Sequence, residues 1–381
     1  MALDLHSGDY KIFRDAFKKF LEAEVIPYYN EWEEQGIIPK DLWLKAGKLG
    51  FLCPWLEEQY GGSGAGLEYS IIISEELIWA GAVGAMFPLH SDIIVPYIHS
   101  FGTEEQKQKW LPKLASGEII SAIAMTEPNT GSDLAAIRTT AVLDGDEYVI
   151  NGAKTFISNG INSNLVIVAC KTSPKADPPH RGISLIIVEE GTPGFSRGRK
   201  LNKMGLHSQD TAELFFDDCR VPRANLLGQE GMGFKYLMQK LQQERLICSV
   251  WGQALAEKML KQTIDYCQSR KVFGQPVSGF QHNSFKIAEM ATEIQLGRTF
   301  IDTLIEEHMA GKNIVKKVSM AKYWVTELAN RVAYNCLQLH GGYGYMEEYP
   351  ICRDYRDVRI FTIFAGTTEV MKSIIAKEMG L

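Results

Sequence analysis

The chain of 381 residues is 45% hydrophobic and 23% charged, an ordinary globular balance that excludes a disordered protein. Forty Lys and Arg against 46 Asp and Glu leave a net charge of −6, so no nucleic-acid footprint is expected. At roughly 100–200 residues per domain, the length predicts two or three domains.

The first zone, 1–119, reads as helical. FRDAFKKFLEAEVIPYY and PKDLWLKAGKLGF carry apolar residues at three-to-four spacing. The glycine run 61–66 is a loop, and more helix follows through Leu114. The longest membrane candidate, Leu77 to Leu89, falls short of the ~20 apolar residues a span needs and is flanked by Glu76 and His90. The N-terminus lacks the basic start and apolar core of a secretory signal, so a cytoplasmic protein without a membrane span is expected.

The second zone, 120–230, changes period. Asp144-Gly145 and Asn151-Gly152 read as hairpin turns bracketing a strand at Glu147–Ile150. Leu165–Cys170, Ile183–Val188 and Glu213–Phe216 are further β-rich runs, which predicts a middle β domain of barrel or sandwich type. In the third zone, 231–381, helical spacing returns over Phe234–Ser269, Gln281–Ala310 and Asn313–Leu339. The order helix, sheet, helix is an α+β architecture.

Seven scattered cysteines with no CxxC pair argue against a disulfide framework, and reduced thiols are the simple reading. No HExxH, GxGxxG or GxxxxGK[ST] occurs, which disfavours a metal site, a Rossmann site and a P-loop.

Four constellations carry possible chemistry, each with a plain alternative. Ala124–Asp133 (AMTEPNTGSD) is a polar loop whose amides could meet a flat ligand, although a solvated loop is the commoner outcome. Arg270 in SRKVFG could grip a phosphate bidentately or simply favour a helix C-terminus. Gly341-Gly342 either admits a close neighbour or caps a helix. Thr367 or Thr368 reads as the N-cap of the last helix, with Glu369 in its first turn.

Taken together and in order, AMTEPNTGSD, FISNG at 156–160, RKVFG, QLHGGYG and FAGTTE resemble the acyl-CoA dehydrogenase family of flavoproteins over nearly the whole chain. GRKLNKMGL, QDTAELFF, QQERL and LHGGYGYMEEYP are most similar to its long-chain branch. The resemblance implies an N-terminal helical domain, a middle β domain and a C-terminal four-helix bundle, assembled as a homotetramer. It implies FAD at the domain junction, with Met125, Thr126, Gly131 and Ser132 in the flavin-contacting loop, Phe156 against the ring system and Ser158 near N5. Arg270, Phe273, Gln281, Gln338 and Gly342 match positions that hold the diphosphate and adenosine across a subunit interface. Thr367 and Glu369 match the last cofactor contacts, although the family usually has Gln at the latter. Ser132, Arg245, Cys248, Ala365 and Gly366 are expected along the acyl-CoA. Electrons would leave to an electron-transfer flavoprotein.

Dehydrogenation in this family removes an α-proton to a carboxylate and a β-hydride to flavin N5. Most members place the Glu just before the GT of the final loop, where this chain has Ala365. The long-chain branch carries it on the first bundle helix, which here offers Glu244. Independently, Leu237, Leu241, Glu244, Cys248 and Trp251 fall at three-to-four spacing and put Glu244 in an apolar stripe. Asp92 is a second acid near the expected acyl pocket. Either it or Ser91 caps a helix starting at Ile93, or Asp92 serves as base for an alicyclic acyl-CoA, a ring acid being degraded. Trp251, if it faces inward, would shorten a linear tunnel. A third reading is a degraded protein that binds FAD and acyl-CoA without desaturating them.

Overall fold

The computed structural model describes residues 5–381. The N-terminal helices are α1 (Gly8–Glu24), α2 (Tyr29–Gln35), α3 (Lys40–Lys48), α4 (Leu67–Trp79), α5 (Val95–Phe101) and α6 (Glu104–Ala115). In α1 the three-to-four spacing of Phe17, Phe20 and Leu21 buries one face against Phe51 and Phe87. Helix α6 opens on a capping box: Thr103 Oγ1 accepts from Gln106 N, and Gln106 Oε1 accepts from Thr103 N. The Gln106 amide also donates to the Ala224 and Leu226 carbonyls, which pins this domain to the sheet.

The middle domain is one eight-stranded mixed sheet: β1 (Ser121–Ala124), β2 (Thr140–Asp144), β3 (Glu147–Ser158), β4 (Leu165–Lys171), β5 (Ile183–Glu189), β6 (Phe195–Lys200), β7 (Thr211–Pro222) and β8 (Leu226–Leu227). Its order is β6-β7-β3-β2-β4-β5-β8, with β1 parallel to β4. Asp144 pairs with Glu147 across the expected two-residue turn. Asn151-Gly152 is not a turn, a correction to the sequence reading. It lies inside β3, where the register against β7 shifts between Ile150 and Gly152. Gly152 has φ +149°, and a Cβ there would sit 2.5 Å from Thr139 Oγ1, so the dipeptide marks a bulge under a close neighbour. Strands β4 and β5 are buried on both faces: Leu165, Ile167, Leu185 and Ile187 join the main helical core, while Val166, Val168, Ile186 and Val188 fill the sheet's own core.

The C-terminal block contains α7 (Gly233–Ser269), α8 (Gln281–Met309), α9 (Val315–His340), α10 (Pro350–Asp357) and α11 (Thr368–Glu378). Helices α7, α8 and α9 pack on one another and α11 lies on α9. A small hairpin, Lys271–Pro276, joins α7 to α8. All three domains meet at the loop before β7. There the Asp357 carboxylate accepts from Leu206 N at 2.6 Å and Glu33 accepts from Ser208 N at 2.9 Å. No helix among the described residues is long and apolar enough to cross a membrane.

Candidate active site

Helix α7 presents Leu237, Leu241, Glu244, Cys248 and Trp251 on a buried face, as the spacing predicted. Glu244 is 4% exposed, and its Oε1 accepts the Tyr97 hydroxyl from α5 at 2.7 Å. Burial pushes the carboxyl up to about 7, against the smaller opposing pulls of Tyr97, Arg245 and Lys240. An acid in that range can accept a proton near neutrality.

Arg245 is buried beside it, and its Nε donates to the Ala365 carbonyl at 3.4 Å. From α9, the fully buried Lys322 donates to the Gly366 carbonyl at 2.6 Å, and burial brings its ammonium down to about 8. Two cations thus hold the loop between Phe361 and Thr367 by its backbone. Ala365 itself is left-handed, with φ +52°. Its methyl offers no acid, whereas Arg245, which holds this loop, is the chain neighbour of the buried Glu244. Trp251 faces the same loop, its ring 6.2 Å from Phe364.

Asp92 sits elsewhere. Leu89–Ile94 is a π-helical turn running directly into α5, so no helix starts at Ile93. Neither Ser91 nor Asp92 is a cap, which corrects that expectation: Ser91 Oγ accepts from Cys53 N at 3.0 Å, and Asp92 Oδ1 accepts from Ser70 Oγ on α4 at 2.6 Å. The wide turn carries Asp92 inward to α4 and Ser91 to the Cys53 backbone instead of along the helix axis. Burial raises the Asp92 carboxyl to about 7. Its backbone carbonyl accepts from the Gln243 amide at 2.7 Å, so Asp92 and Glu244 lie on adjoining elements with different hydrogen-bond partners.

The loop Met125–Ser132 borders the sheet edge. Its shape is fixed by Glu127, whose carboxylate takes Arg138 N, Thr139 N and the fully buried Lys154 ammonium at 2.6–2.9 Å. Lys154 also donates to the Met125 carbonyl at 3.0 Å, and Thr155 N donates to Thr126 O. Gly131 and Ser132 are exposed at the open end of the loop. Next to it, Phe156 lies on a second β3–β7 register shift with φ +58° and is 69% exposed, while Ser158 is half-buried. A large aromatic ring held outward on left-handed backbone is an unfavourable arrangement unless something flat covers it.

At the far end of α7, a cavity of about 480 Å³ is lined by Tyr266, Arg270, Gln338, His340, Gly342 and Tyr343. A Cβ at Gly341 or Gly342 would meet nothing within 4 Å, so the chain there is open to a ligand. The Arg270 guanidinium lies 5.4 Å from the Tyr343 ring centre. Phe273, on the neighbouring hairpin, is 97% exposed, and Gln281 begins α8 outside the cavity lining. Thr367 caps α11 through Val370 N, with Glu369 exposed in the first turn, as the plain reading had it. These donors fit the two ends of a flavin dinucleotide: an aromatic platform with a polar loop for the ring system, and an Arg with open glycines for the diphosphate.

Several of these groups carried no sequence signal that was used. Tyr97 meets Glu244 across 147 positions, Glu127 and Lys154 look like ordinary surface charges, and Lys322 reads as one more helical lysine. Tyr266, which stacks on His340 at 4.3 Å, was equally missed because it lies just before SRKVFG, whereas His340 falls inside QLHGGYG.

Family models for the N-terminal, middle and C-terminal domains of acyl-CoA dehydrogenase match residues 7–118, 122–219 and 231–380. The chain belongs to the acyl-CoA dehydrogenase family. The long-chain specific acyl-CoA dehydrogenase of Sus scrofa mitochondria is 47% identical over 98% of this chain and 87% of that protein. The acyl-CoA dehydrogenase of Geobacillus kaustophilus, a solved structure, is 60% identical over the full length of both chains with a TM-score of 0.98. A chain of the solved electron transferring flavoprotein of Acidaminococcus fermentans matches at 36% identity and a TM-score of 0.94, covering 100% and 99% of the two chains. As an acyl-CoA dehydrogenase, the protein catalyses FAD-dependent dehydrogenation of an acyl-CoA thioester. When bound, FAD supplies the hydride acceptor for this reaction. Neither the alicyclic nor the degraded reading is needed to account for the chain.

Proposed function

We propose that Glu244 is the base of this acyl-CoA dehydrogenase, that its substrates are linear acyl-CoA thioesters, and that it works as a cytoplasmic homotetramer passing electrons to an electron-transfer flavoprotein. The observation that carries the reading is the buried Glu244 carboxyl, raised to about 7, beside a final loop whose usual acid position is Ala365. The α-proton goes to Glu244 as the β-hydrogen leaves as hydride, and the two electron pairs of the broken C–H bonds become the C=C bond and the reduced cofactor. Arg245 and Lys322 keep the Ala365 and Gly366 carbonyls in place while this happens. Likeness to the long-chain branch supports the linear substrate class.

The span of α7 supports assembly. Glu244 and Arg270 are 26 residues apart, about 39 Å along the helix, longer than one extended dinucleotide. The Arg270 cavity and the Glu244 site of a single chain therefore serve different cofactor molecules. Phe273, at 97% exposure beside that cavity, is then a contact to a neighbouring copy. All seven cysteines are unpaired and six are buried, which suits a reducing compartment.

Anaerobic bleaching of the bound flavin by butyryl-, isovaleryl-, palmitoyl- and cyclohexanecarboxyl-CoA tests the substrate reading. Linear esters should bleach it, and Glu244→Gln should keep FAD but abolish bleaching. Bleaching by the ring ester alone, or a fully active Glu244→Gln enzyme, would overturn it.

A further inference from the structure

We propose that Tyr97 is the positioning residue of the base: its hydroxyl clamps Glu244 Oε1, which leaves Oε2 as the oxygen that receives the substrate proton. This rests on the reading of Glu244 as base. The 2.7 Å bond to Oε1 is the one hydrogen bond that either Glu244 oxygen accepts among the described residues. Oε2 is thus the free end of a carboxylate on a residue only 4% exposed.

The clamp is rigid. Tyr97 is fully buried on α5, with Phe101 one turn on at 6.3 Å between ring centres. Phe101 stacks in turn on Tyr236 at 3.9 Å, and the Tyr236 hydroxyl accepts from Gln229 N. An aromatic column therefore runs from the sheet's last loop to the base, and the tyrosine cannot follow Glu244 if the acid rotates. Burial and the neighbouring carboxylate hold the phenol well above its ordinary pKa, so it remains a donor across the working pH range.

The charged and titratable groups around Glu244 are few. On α7 itself they are Lys240, Arg245 and Cys248. Lys240 is drawn off to Ser100 Oγ at 2.5 Å, and Arg245 to the Ala365 carbonyl. From α8, His308 is engaged by Gln242 and Gln243, and Asp92 bonds Ser70. Among the described residues, Tyr97 is the one group that donates to the base directly. A hydrogen bond to the charged form of an acid favours that form, so the phenol keeps the base ionised to lower pH than burial alone would allow.

The test is the rate of anaerobic flavin reduction by palmitoyl-CoA or butyryl-CoA, whichever reduces the wild-type enzyme faster, from pH 5.5 to 9.5. For Tyr97→Phe, the acid limb of the profile should move about one pH unit to the alkaline side, since a lost hydrogen bond to an anion is worth on that order. The rate should fall five- to tenfold near pH 7 and recover most of this by pH 9. An unmoved midpoint, with either no loss or the same loss at every pH, would overturn the proposal, because packing alone does not shift a titration. If Tyr97→Phe fails to retain FAD, Tyr97→Met keeps the bulk without the hydroxyl and is judged by the same criterion. Glu244→Gln, run in parallel, separates the two readings. Retained reduction there defeats the base assignment itself, whereas an inactive Glu244→Gln with an unmoved Tyr97→Phe profile defeats the clamp alone.

Discussion

Glu244 accepts a proton only when ionised, so flavin reduction should climb with pH through about 7, the value to which burial raises the free acid. Stopped-flow reduction across that range checks the limb, and Glu244→Gln should remove it along with the reaction. Ala365 makes a separate demand. Its φ of +52° is a conformation that costs an L-residue about 1–2 kcal/mol, least when the side chain is small. Ala365→Gly is expected to hold or slightly raise the unfolding midpoint, while Ala365→Val should lower stability by about 1–2 kcal/mol through the added β-branch. Denaturant melts of both variants decide this. The burial of Glu244 was legible in the sequence because its neighbours on α7 keep helical spacing. Tyr97 was not, because nothing local marks a tyrosine whose partner lies on another domain.

Elements with strong periodicity were read nearly to their ends: α7, α8 and α9 start and stop within two residues of expectation, since long buried helices keep a 3.6-residue repeat. Strand β3 was read at a third of its length. Asn151-Gly152 has the chemistry of a turn, and only the packing of Thr139 over Gly152 turns it into a bulge. The loop Met125–Ser132 was legible as a motif, but its anchor was not, because a Lys and a Glu 27 positions apart give no local hint that they pair in the core. Breaking that pair leaves a buried, partly satisfied carboxylate, which typically costs about 3–5 kcal/mol. Lys154→Met should therefore melt well below the wild type and release FAD first, measured by flavin fluorescence during heating. The double variant with Glu127→Gln should recover part of the loss.

At the scale of the molecule, the N-terminal helices and the C-terminal helices are joined by charge as well as by apolar packing. Arg14 on α1 pairs with Glu75 at 2.9 Å and with Glu76, and Arg298 on α8 reaches the same Glu75 and Glu257 at 2.8 Å. Arg14 and both α4 acids are nearly buried, so Arg14→Leu leaves Glu75 to Arg298 alone and Glu76 to the more distant Lys18 at 3.7 Å, and should cost up to about 3 kcal/mol by thermal melt, whereas an exposed pair such as Lys261–Asp265 should cost under about 1 kcal/mol. None of this network was visible in the composition, because its members look like any solvated charges until the domains close over them. The proposed sharing of cofactor sites between copies makes a further prediction: mixing Glu244→Gln chains with Arg270→Glu chains under subunit exchange should restore flavin reduction that neither shows alone. The length of α7 also decides how damage is inherited. On the proposed assembly, a chain with a spoiled Glu244 would lose its own turnover and no other, while a chain with a spoiled Arg270 would withdraw the grip from the copy beside it. In a cell making both normal and defective chains, the first lesion would then be private and the second would fall on a healthy neighbour.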